Sequence, residues 1–198
     1  IASRLPNPAA FDHVIVQARI GARHWWLDPT RPTQEADADH LYQPDYGFSL
    51  VVAPQSHGLV PMRNAGSLSR REVHVVMDAR KQFSAPVGFR VVTTYEGGAA
   101  ESQRDELSGS SLESMQQDYL SYYADSYPGI RLAAPMRVDD DKRLNRLTTT
   151  ESYYIANIAG DPDPQGKHTV WIETPDVDEL LTDPEVKLRK SPLLLKYP

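Results

Sequence analysis

His13 and Asp28 are the two residues whose types and spacing best suit chemistry. His13 lies in the run Phe11-Asp12-His13-Val14-Ile15-Val16, and Asp28 in the run Trp25-Trp26-Leu27-Asp28-Pro29-Thr30. A carboxylate bonded to one imidazole nitrogen fixes the tautomer and stabilises the imidazolium. The other nitrogen can then hold a thiol proton and leave a thiolate nucleophile. Such a pair is two thirds of a nucleophilic triad, and the chain contains no cysteine to complete it.

Whether the two side chains can meet is a question of strand parity. Side chains alternate along a strand, so His13, Ile15, Gln17 and Arg19 share one face, and Val14, Val16, Ala18 and Ile20 the other. Gly21 marks the turn, because glycine supplies the positive φ that short hairpin loops need. With Gly21-Ala22 as a two-residue loop, Ile20 pairs with Arg23, and Ile15 falls opposite Asp28. His13 and Asp28 are then diagonal neighbours across an antiparallel pair. A four-residue loop keeps Asp28 on the His13 face, whereas a three-residue loop moves it to the opposite one. Trp26 shares the Asp28 face, where it shields the pair from solvent or simply fills the core.

The two runs resemble the second half of a bacterial transglutaminase-like core. That superfamily has a papain-like fold and a Cys-His-Asp triad, with the histidine and aspartate on adjacent strands. The resemblance puts His13 at the family's histidine and Asp28 at its aspartate. Tyr42-Gln43-Pro44-Asp45-Tyr46-Gly47 and Phe48-Ser49-Leu50-Val51-Val52 are similar to the next strand of that core. The remainder is similar, more diffusely, to the β-rich domain that follows the core in a subset of these proteins, a domain of unassigned function. In that family the cysteine stands at a helix N-terminus a few tens of residues before the histidine. The resemblance therefore implies a nucleophile upstream of Ile1, and a chain that is inactive as it stands. It also implies a protein or peptide substrate reached through the missing core, and export across the inner membrane of bacteria.

Composition bounds the alternatives. With 198 residues, 40% hydrophobic and 24% charged, the chain suits one large or two small globular domains. A net charge of −6 argues against nucleic acid as the main partner, since phosphate binding needs a concentrated basic surface. No apolar run is long enough to cross a bilayer. The 16 prolines, with many Tyr, Val and Thr residues, lean towards β-structure.

The predicted organisation is mainly β with some helix (α+β). Terminal antiparallel strands of a transglutaminase-like core occupy 1–55, a linker 56–70, and an accessory β-sandwich-like domain 71–198. Within the last, strands are predicted at Glu72–Asp78 and Val87–Tyr95, the latter with Phe89, Val91, Thr93 and Tyr95 on one face. A helical insert near 99–127 follows, with helices over Ala99–Leu107 and Ser111–Ser126. Ser110 and Glu113 are spaced as a capping box for the second helix. Its stripe of Leu112, Met115, Tyr119 and Tyr122 or Tyr123 reads as a packing face, an aromatic binding platform being the other reading. Further strands are predicted at Ile130–Val138, Leu144–Ile158 and Thr169–Glu173, a short helix at Val177–Leu181, and an edge strand at Ser191–Pro198.

Other chemistry is weaker. Asp139-Asp140-Asp141 lacks the alternation and glycine of a calcium loop and reads as a solvated turn. Asp37, Asp39 and His40 supply only two carboxylates in a loop. No two of the six histidines have the spacing of a helical zinc site. Nothing resembles a phosphate loop or dinucleotide fingerprint, so neither metal nor cofactor is expected. Two functions stand: the His–Asp portion of a thiol acyltransferase or protease, or a non-catalytic β-sandwich binding or scaffold module.

Overall fold

In a computed structural model, the described residues are 11, 13–44, 46–62, 69–80, 86–156, 158–159 and 162–170. They form a mainly β, α+β structure of antiparallel sheets and two helices. Strands β1 (Val16–Ile20) and β2 (Arg23–Leu27) make one hairpin, and β3 (Phe48–Leu50) and β4 (Leu59–Pro61) a second. A four-stranded sheet follows from β5 (Arg70–Asp78), β6 (Val87–Glu96), β7 (Arg131–Asp141) and β8 (Arg146–Ile155), in the order β5-β6-β8-β7. Helices α1 (Gly98–Gly109) and α2 (Leu112–Ser126) connect β6 to β7.

The chain divides into two compact units that interleave along the sequence. One comprises Ile1–Val73, Val92–Ser111 and Val138–Thr149; the other comprises His74–Val91, Leu112–Arg137 and Thr150–Pro198. The first unit holds the candidate site. Within it Tyr95, Ala100 and Leu147 form a buried cluster, with Ala99, Leu107 and Val138 packed against it. Strands β6 and β8 are neighbours here, Glu96 bonding Arg146 and Thr94 meeting Thr148. In the second unit Phe89 and Tyr153 are buried. Tyr123 meets Phe89 edge-on at 5.0 Å and Tyr153 at 5.4 Å, so part of the tyrosine stripe of α2 is packing surface.

The alternation on β6 matches the sequence reading, with Val87, Phe89, Val91, Thr93 and Tyr95 all buried. Most element ends shift by one to three residues, and three differences have a clear physical reason. Helix α2 begins at Leu112, which leaves Ser110 as the extended C-cap of α1 and puts Ser111 directly before the new helix. Strand β7 runs on through Asp139-Asp140-Asp141, and the turn falls at 142–145, where Asn145 takes a φ of 52°. Asn tolerates that left-handed conformation better than most residues. Within the stretch read as a linker, Leu59–Pro61 pairs with β3, Phe48 opposite Pro61; two apolar residues between Gly58 and Pro61 carry no readable period. Residues 63–68 of that stretch lie outside the described residues, as do 171–173 of the Thr169–Glu173 strand, the Val177–Leu181 helix and the Ser191–Pro198 strand. Val170 itself bridges Ala159. Among the described residues no helix is long and apolar enough to cross a membrane.

Candidate active site

The β1–β2 hairpin sets the geometry. Its register pairs Ile20 with Arg23, Ala18 with Trp25 and Val16 with Leu27. The loop is therefore the two residues Gly21 and Ala22. Only Gly21 has positive φ (61°), as expected of a turn whose first central residue is glycine. Continuing the same pairing beyond the strands puts Ile15 opposite Asp28 and brings His13 within reach of it. His13 Nε2 lies 2.7 Å from Asp28 Oδ2. A carboxylate can only accept, so Nε2 carries the hydrogen and donates it. Among the described residues, Nδ1 has no hydrogen-bond partner.

The carboxylate is fixed from its other side by its own turn. Thr30 donates both its backbone N–H (3.1 Å) and its hydroxyl (2.6 Å) to Asp28 Oδ1. This is an Asx-type turn, in which the aspartate bonds the backbone two residues on. The backbone N–H of Arg31 closes the turn on the carbonyl of Asp28 at 3.2 Å. Asp28 is 4% exposed, so water does not compete for either oxygen. Burial pushes its carboxyl up, but the hydrogen bonds from Thr30 and His13, with the field of His13, outweigh that and hold it below the ordinary aspartate value. The carboxylate is charged at neutral pH and stands ready to stabilise an imidazolium.

His13 keeps about a third of its side chain in solvent, 34%, against 2% for Asp28. One end of the ring is thus buried on the carboxylate while the ring as a whole stays reachable. The aromatic neighbour of His13 is Tyr46, with ring centroids 5.6 Å apart. Trp26 is 7% exposed, a core residue of the hairpin. Sequence reasoning singles out neither Thr30 nor Tyr46. The Asp-Pro-Thr spacing is a usable signal for Thr30, since Asx turns follow that pattern; Tyr46 offers none.

A second histidine meets an aspartate in the same unit. His40 Nδ1 bonds Asp37 Oδ1 three residues back, and Asp37 also lies 3.5 Å from Arg143. Asp39 pairs instead with Arg23, so the loop 37–40 is not a convergent ligand set. Asp140 is occupied too, held by Arg104 through Nε and Nη2. Among the described residues no group of three or more His, Cys, Asp or Glu could hold a metal ion.

The arrangement is a histidine–carboxylate pair with a buried carboxylate and a partly exposed ring, brought together by a β-hairpin. No protein-family model, curated protein or solved structure matches the chain.

Proposed function

We propose that this chain supplies the His13–Asp28 part of a transglutaminase-like thiol acyltransferase or protease, whose cysteine lies N-terminal to Ile1. One observation carries the reading: Nε2 of His13 is committed to a buried, doubly braced carboxylate, which leaves Nδ1 to accept a proton. In the reaction the cysteine gives its proton to Nδ1 and attacks the carbonyl carbon of a glutamine carboxamide or peptide bond. The imidazolium returns the proton to the departing nitrogen, which leaves as ammonia or an amine, and a thioester remains. An amine or water, deprotonated by Nδ1, then attacks the thioester and the thiol is regenerated. Asp28 stays ionised throughout and stabilises the imidazolium. The chain without its cysteine performs none of these steps.

The test uses the protein extended by its natural upstream sequence. It is incubated with a glutamine-containing peptide and a fluorescent primary amine, and amine incorporation and ammonia release are followed. Wild type is expected to turn over, and His13→Ala to lose about 10²–10⁴-fold, the range of a lost general acid–base group. An upstream segment without cysteine, or equal turnover by both proteins, would contradict the proposal.

A further inference from the structure

We infer that Glu101 of helix α1 is a positioning residue for the His13–Asp28 pair, acting through Arg31 on the turn that carries Asp28 and Thr30. The inference rests on reading that pair as working acid–base machinery. Arg31 immediately follows Thr30, and its backbone N–H closes the Asp28 turn. Its guanidinium places both Nε (3.1 Å) and Nη2 (2.8 Å) on one oxygen of Glu101, 70 residues away in sequence. Glu101 is 1% exposed, and its other oxygen accepts the Asn145 amide at 3.1 Å. Asn145 is itself tied down, donating to the His40 carbonyl and accepting from Arg104.

The same guanidinium lies over the Tyr42 ring, 5.1 Å from its centroid. That ring in turn sits against Gly98, where a Cβ would come within 2.5 Å of it. Arg31 is thus held by a carboxylate on one side and an aromatic face on another. Stability alone is a poor reason for burying this carboxylate. Replacing a buried ion pair with apolar groups is often neutral or stabilising, and fixing one arrangement among several is the better-attested use. What this pair fixes is the first turn after Asp28. Without it, the Thr30 N–H and hydroxyl are free to move with the loop, and Asp28 loses the brace opposite His13.

The test reads the His13–Asp28 contact directly, on the 198-residue chain, with no thiol required. The signal is the low-field Nε2–H proton of His13 and its exchange rate with water. In Glu101→Gln, exchange is expected to be about tenfold faster, because the turn opens more often. In the milder Arg31→Lys, which keeps the charge and loses the fork, about threefold faster exchange is expected. Phe89→Leu, in the other compact unit, serves as a control of comparable thermal destabilisation and is expected to leave the signal unchanged. An unaltered His13 signal in Glu101→Gln and Arg31→Lys, with the signal lost in Asp28→Ala, would overturn the inference and keep the pair. A signal that survives even Asp28→Ala, which leaves no acceptor at that position, would remove the pair itself. Should Glu101→Gln fail to fold, Arg31→Lys decides.

Discussion

His13 and His40 both bond an aspartate, yet the two contacts are built from opposite materials. His40 and Asp37 are three residues apart in one loop, and both side chains are about two fifths exposed, 42% and 40%. Asp37 divides itself between His40 and Arg143, and solvent reaches all three side chains. His13 and Asp28 are fifteen residues apart and meet only because a hairpin in one register brings them together. Their carboxylate is buried, and its second oxygen is filled by Thr30. A local pair of this kind shapes a loop. A long-range pair with one buried partner and one reachable ring has the geometry that the proposed acid–base role calls for.

That contrast can be broken by substitution. The largest effect is expected on turnover in the upstream-extended protein, where Asp28→Asn lowers amine incorporation by about 10²-fold or more by losing the group that orients and stabilises the imidazolium. Asp37→Asn, at the other pair, is expected to leave turnover unchanged in the same assay. Next comes register. One glycine inserted between Gly21 and Ala22 makes a three-residue loop, which reverses parity across the hairpin. The His13 Nε2–H signal is expected to disappear, while the His40–Asp37 contact, which crosses no strand, persists.

Smaller effects concern stability. Asp28→Ala removes a buried carboxylate together with its hydrogen bonds from Thr30 and His13, and because Thr30 itself is exposed and can turn to water it is expected to cost about 1–2 kcal/mol in urea unfolding. Asp37→Ala is expected to give no resolvable change, as for most exposed ion pairs. The acid limb sharpens the same difference. Asp28 is held below the ordinary aspartate value in the folded state. Its contribution is therefore present above that ordinary value and is lost as pH falls through the lowered folded one. Asp28→Asn should flatten the loss of stability between about pH 4 and pH 2, measured as the change in denaturation midpoint. Asp37 is also lowered, chiefly by its hydrogen bond from His40, but it is exposed, and Asp37→Asn should flatten that limb less.

The legible parts of the chain are those governed by short-range rules. Gly21 announces a tight turn, and from a two-residue loop the whole β1–β2 register follows by counting. The one-sided burial of β6 is readable because Phe89, Val91, Thr93 and Tyr95 alternate over a long run. By contrast, β4 is three residues ending in proline and has no period to read. The aspartate run at 139–141 suggests a turn by composition, yet it lies in a strand beside β8, with Asp140 paired to Arg104 of α1 across 36 residues. The brace from Glu101 to Arg31 is equally invisible. Nothing in the neighbourhood of a glutamate on a helix tells which arginine seventy residues earlier will meet it.

The most direct measurement is the rate of cysteine alkylation by a haloacetamide in the upstream-extended protein at neutral pH, comparing wild type, His13→Ala and His40→Ala. A thiolate held by the His13–Asp28 pair would react quickly in wild type and in His40→Ala, and about 10²-fold more slowly in His13→Ala. Equal rates in all three proteins would contradict the proposed role of His13 as the base that activates the thiol.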